Sequence, residues 1–234
     1  ILDELFQRSS RDKQIKVAYE DARKYVINEY ALDKVTKKYP LCANFLSSSL
    51  IKRFFSLIEE TPENKWLIDQ ITQSWRLYQQ ERLNNWHPRV INMKNNFVQA
   101  YKEAGKNESL PKVFVKLGAV HTAMGTSSSG FQEVGNTLYE LAKYNGTKSF
   151  SVISFARYRI DKKGVLTDEL DPDDSQLLKY TDEKSWSLIN LRQLAKDGWE
   201  GKIKLSKTMQ NYMQKYDMML IPPATKRMEP NYTF

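Results

Sequence analysis

Two residues of this chain have the chemistry for proton transfer and anion binding. His121 closes the stretch PKVFVKLGAVH, and Arg89 stands near the start of a helical segment. A neutral imidazole takes a proton near neutral pH or ligates a metal. The planar guanidinium fork fits a carboxylate or an oxyanion. Asn92, Met93 and Asn96 follow Arg89 at helical spacing, so the charge and two amides share one helix face. Beyond His121, Gly125, Ser127, Ser128, Ser129 and Gly130 form a small-residue loop leading into a helix whose first-turn amides could hold an anionic group. A serine of 127–129 with His121 as its base is an alternative, although no Gly-x-Ser-x-Gly elbow is present. A metal held by His87 and His121 is another, for which the sequence places no evident carboxylates.

These side chains need elements to hold them. Val113, Phe114, Val115 and Leu117 form an apolar run too short for a helix, which predicts a largely buried strand. His121 would then lie at its carboxyl end, where open α/β sheets bind ligands. Trp86-His87-Pro88-Arg89 opens a helix, with proline tolerated in the first turn and Gly105 as the stop. A helix of about 17 residues rises about 25 Å, and a strand of about 8 residues spans about 26 Å. Packed antiparallel, the two elements would bring Arg89 back beside His121. The plainer alternative has His121 satisfying backbone groups at the strand end and Arg89 pairing with a surface acid.

The pattern resembles a known superfamily. Gly118-Ala119-Val120-His121 after an apolar run, with Arg89 and Asn92-Met93-x-x-Asn96 on the preceding helix, is similar to the erythromycin esterase-like, Tiki/TraB-like and ChaN-like haem-uptake proteins. Gly135-Asn136 before an amphipathic helix (Leu138, Leu141, Ala142) and Ser187-Leu188-Ile189-Asn190-Leu191-Arg192 resemble later segments of the same pattern. The resemblance covers residues 86–223. It implies an α/β fold in which two Gly-x-x-His motifs, a glutamate beside the first and an arginine face one pocket. Only the second motif is present, because the two histidines are His87 and His121. What carries over is limited to Gly118 and His121 for that motif and Arg89 for the arginine; Gly118, Asn92 and Asn96 are the expected substrate-binding residues. The implied activity is hydrolysis of an ester or amide bond of a small-molecule substrate, with His121 as base or as ligand of a divalent metal. The alternative is a non-catalytic holder of haem or another small ligand, as in the ChaN-like branch. The resemblance also implies export, to the periplasm or cell envelope. The missing first motif and an opening that reads as helix already under way predict that this is the C-terminal portion of a larger two-half fold.

Composition narrows the class. The chain has 234 residues, 41% hydrophobic and 12% aromatic, enough for a sizeable core. Its net charge is +8, divided as +2 over residues 1–40, +2 over 41–105 and +4 over 106–234. A nucleic-acid footprint clusters its charge, so this even spread argues against one. No stretch reaches the length needed to span a bilayer. Cys42 is the single cysteine, which excludes an internal disulfide, and its apolar surroundings read as those of a buried structural thiol.

Residues 1–85 read as a helical region and 86–234 as an α/β region with a mostly parallel sheet. Amphipathic helices are predicted over 11–38, stopped by Pro40, and over 42–59. A third opens at Thr61-Pro62-Glu63, where a cap residue, a first-turn proline and an early acid coincide. In the α/β region, SFSVISFARY over 149–158 predicts a half-buried strand, and Met218–Ile221 a last strand. The acidic run 168–174 lacks the glycine and ligand spacing of a calcium loop and reads as a solvated loop.

Overall fold

The computed structural model describes residues 1–10, 12–36, 44–79, 86–169 and 179–226. It is a mixed helical and α/β protein with two small mixed sheets. Two compact units are present, one extending to Arg89 and one beginning at Val90. Cys42, Pro40 and positions 170–174 of the acidic run lie outside the described residues.

The first unit is helical: α1 (Leu2–Arg8), α2 (Lys13–Thr36), a 3-10 turn (Phe45–Ser47), α3 (Ser49–Leu57) and α4 (Pro62–Tyr78). Apolar residues at helical intervals, Leu5, Ala18, Ala22, Ile51, Phe54 and Leu67, are buried together. Aromatic rings lock this core. Phe45 meets Trp75 edge-on at 5.1 Å, and Phe6 stacks on Tyr19 at 4.3 Å. α4 starts as its residues dictate: Thr61 Oγ1 accepts from the Asn64 amide at 3.2 Å, Pro62 takes the first turn, and Glu63 favours the positive helix end. The helix expected over 42–59 begins later, at Ser49. Ser48 is extended and the Ser47 hydroxyl donates to the Asn44 carbonyl at 2.9 Å, so this serine run competes with helical bonding.

The second unit contains most of α5 (Trp86–Ala104), then α6 (Ala119–Thr122), α7 (Val134–Tyr144), β1 (Val152–Ser154), β2 (Tyr158–Ile160), β3 (Leu166–Asp168), β4 (Ser187–Asn190), α8 (Leu191–Trp199), α9 (Lys207–Lys215), β5 (Met218–Ile221) and β6 (Thr225–Lys226). One sheet has the order β1-β5-β4 and the other β3-β2-β6. The expected mostly parallel sheet is not what forms. β1 runs parallel to β5 while β4 is antiparallel to it, and β2 is antiparallel to β3 but parallel to β6. The β2–β3 pair is a hairpin. Its turn places Gly164 at φ 83°, and Asp161 Oδ1 accepts from the Lys163 and Val165 amides, each at 2.8 Å.

Two other strand expectations change. Residues 149–158 do not make one strand, because Phe155–Arg157 breaks the run and sends β1 and β2 into different sheets. Val113–Leu117 forms no strand either, and Phe114 is 91% exposed. β-branched and aromatic residues favour a strand only where a neighbour accepts the ladder bonds, and this run has no strand partner among the described residues.

The core of the second unit lies on one face of the β1-β5-β4 sheet. Ile153, Met219 and Ile221 point inward by the two-residue period and pack against Leu191 of α8 and Met209 of α9. Asp217, buried to 2%, ties the ends together: it accepts from the Ser151 amide at 2.7 Å and pairs with Arg192 Nε.

Candidate active site

His121 sits in the one-turn helix α6, not at the end of a strand. Gly118 is the N-cap position of α6, and its carbonyl accepts from the His121 amide at 2.9 Å. A Cβ at this position would stand 3.9 Å from His121 Cδ2, an ordinary contact, so the ring itself does not require glycine here. α6 is held by two hydroxyls. Tyr216 donates to the Ala119 carbonyl at 2.8 Å, and Ser151 donates to the Thr122 carbonyl at 3.0 Å.

The partner of His121 is Glu133. Nδ1 lies 2.9 Å from Glu133 Oε2, with the histidine side chain 16% exposed and the glutamate fully buried. Glu133 occupies the N-cap position of α7 but makes no capping bond with its side chain. Its other oxygen accepts from Ser129 Oγ at 2.8 Å and from Ser127 Oγ at 3.4 Å. The two hydroxyls are themselves 2.6 Å apart, and Ser127 Oγ accepts from the Ser129 amide at 3.2 Å. Glu133 Oε1 is thus faced by both hydroxyls, and either serine can donate to the other. Both oxygens of the buried carboxylate have hydrogen-bond partners. The imidazole then carries its proton on Nδ1, which makes Nε2 the basic nitrogen.

Local chemistry explains why these groups meet. Gly125, at φ 65°, is held by Asn136 Oδ1, which accepts from its amide at 2.8 Å. Gly130, at φ 83°, closes the loop by donating to the Ser127 carbonyl at 3.1 Å. At Gly135 the start of α7 comes so close to α6 that a Cβ would stand 2.2 Å from the Thr122 carbonyl oxygen. Only glycine permits that approach.

The expected site residues are distributed as follows. Arg89 belongs to the first unit, and its guanidinium carbon lies 5.5 Å from the ring centres of both Tyr78 and Trp86, a cation–π arrangement. His87 also lies in the first unit. Asn92 Oδ1 is buried and has no hydrogen-bond partner among the described residues. Asn96 lies one turn further along α5. Of the 127–129 serines, Ser127 and Ser129 bond to Glu133, so these two act on the carboxylate that holds His121. The anionic group at the head of α7 is the chain's own Glu133. A second anion there would meet like charge.

Glu133 was passed over in the sequence. Its one signal is an acid, in place of the usual Ser, Thr, Asp or Asn, immediately before an amphipathic helix and after a run of serines. His121 would be the residue to ligate a metal, through Nε2. Among the described residues, no group of three or more His, Cys, Asp or Glu is placed to hold a metal ion. No described helix is long and apolar enough to cross a membrane.

In comparisons with known proteins, no family model matches the chain, and neither does any curated protein or solved structure.

Proposed function

We propose that this chain supplies part of a hydrolase site for ester or amide bonds in a small-molecule substrate, with His121 Nε2 as general base. The observation that carries this is the 2.9 Å bond between His121 Nδ1 and the fully buried carboxylate of Glu133. A carboxylate on one ring nitrogen fixes the tautomer, orients the ring and stabilises the imidazolium formed when the other nitrogen takes a proton. Water or a substrate hydroxyl at Nε2 would be activated for attack on a carbonyl. The same nitrogen would serve as ligand if the site works through a divalent metal.

In this proposal Asn92, Asn96 and Gly118 hold the substrate. Support is firmest for Asn92, whose buried carbonyl lacks the donor that a ligand could provide. Export to the periplasm or cell envelope rests on the superfamily resemblance alone.

Hydrolysis of p-nitrophenyl acetate tests the proposal. His121→Ala should lower the rate by about 10²-fold or more, the usual contribution of a positioned base. Glu133→Gln should lower it with the fold intact, and an unchanged rate in His121→Ala would sink the proposal. Haem titration separates the binding alternative: a shifted Soret band that disappears in His121→Ala would favour a haem holder over a hydrolase.

A further inference from the structure

A second feature of the Val90 unit lies between α8 and α9. The two helices and the residues joining them enclose an open cleft of about 590 Å³, a volume typical of small-molecule sites. Arg192, Ala195 and Trp199 recur at intervals of three and four along α8, so they share the face that lines it. Met213 and Gln214 of α9 form the opposite wall. The end is closed by Leu205, drawn in so tightly that a Cβ on Gly198 would lie 2.1 Å from Leu205 Cδ1. A glycine inside a helix costs about 1 kcal/mol relative to alanine, so α8 gives up stability where the cleft is shaped.

The lining is chemically one-sided. It contains two cations, Arg192 and Lys204, and no carboxylate. Arg192 is oriented by the buried Asp217 through Nε, yet its side chain is 65% exposed. The nearby acids face elsewhere: Asp197 and Glu200 pair with Lys202, outside the lining. Trp199, 87% exposed, offers an aromatic face above a floor of Leu205 and Met213.

We infer that this cleft binds a small organic anion with a planar apolar body, such as an aromatic carboxylate. The charged end lies at Arg192 and Lys204, and the ring stacks on Trp199. This site is independent of the chemistry at His121 and stands or falls separately.

The test titrates the ¹⁵N-labelled protein with naphthalene-2-carboxylate and with its neutral carboxamide. Saturable shifts are expected at the Trp199 indole N–H and the 203–205 amides. The carboxylate should bind about two- to fivefold more tightly, the scale of an exposed ion pair. Lys204→Glu should remove that preference, and Trp199→Ala should weaken both probes about three- to tenfold, as loss of stacking predicts. Equal affinity for the two probes would overturn the inference. So would shifts that fail to saturate or that centre on another exposed apolar surface, such as Trp186 and Leu188.

Discussion

His121 and Glu133 are twelve residues apart in the chain and 2.9 Å apart in space, because the short helix carrying one is pressed against the head of the helix carrying the other. Their bond sets the protonation pattern of the ring. Nuclear magnetic resonance of the ring nitrogens reads it directly, since His87 supplies the only other imidazole. In the neutral protein His121 should carry its proton on Nδ1. Glu133→Gln replaces an acceptor-only carboxylate with an amide that can also donate, so the ring should be released to both tautomers. A proton on Nε2 in the wild-type protein would show the assignment of the base to be wrong.

Gly135 is the pivot of that arrangement. In Gly135→Ala the new methyl would meet the Thr122 backbone carbonyl at 2.2 Å, and a backbone oxygen cannot turn aside as a flexible side chain can. The substitution should cost about 1–3 kcal/mol, the range for overpacking, read as a lower urea midpoint. The His121 ring signals should move in the same direction as in Glu133→Gln, because α6 and α7 must separate. Wild-type stability together with wild-type ring signals would show that the two helices are not held this closely.

Local chemistry was the part legible in the sequence. Thr61-Pro62-Glu63 is a helix start, Gly105 follows directly on α5, and Met218–Ile221 is a strand, since caps, breakers and short apolar runs act over a few residues. What depends on partners was not legible. Val113–Leu117 has strand composition but no strand neighbour among the described residues to complete a ladder. The break at Phe155–Arg157, which sends β1 and β2 into different sheets, has no local breaker residue to announce it. Glu133 escaped notice because an acid before a helix already has a local reason, the helix dipole, and nothing nearby in the chain points to a histidine twelve residues back. The Gly118-x-x-His121 spacing was legible, but it caps and fills a one-turn helix where a strand end was expected.

Asn92 gives a prediction in which stability and function move apart. Its buried Oδ1 has no donor, and an unsatisfied buried acceptor costs about 1–3 kcal/mol. Asn92→Leu keeps the branched shape and removes that acceptor, so thermal stability should be unchanged or higher by about 1 kcal/mol. If Asn92 holds the substrate, KM for ester hydrolysis should rise at the same time. A clear loss of stability would mean that the carbonyl is satisfied in solution and has no claim to a ligand.

Tyr216 links α6 to alkaline stability. Its hydroxyl donates to the Ala119 carbonyl, and burial, with a smaller contribution from Tyr212, raises its pKa from 10.0 to about 12. The protonated phenol is the neutral form that makes the bond, so the folded state holds this proton more tightly than the unfolded chain does. Its stabilising contribution is therefore complete below about pH 10, declines as pH rises, and is gone above about pH 12. Tyr19 in the first unit is raised to about 12 as well, mainly by burial and then by its hydrogen bond to Asp3, and burial also raises Tyr25, so the wild-type protein carries further such groups. Urea midpoints at pH 9 and pH 11 measure the slope. Tyr216→Phe should lie below wild type at pH 9 and close the gap by pH 11, because the variant has no phenol to ionise. Parallel declines in the two proteins would show that the Tyr216 hydroxyl does not hold α6, and with it His121, in place.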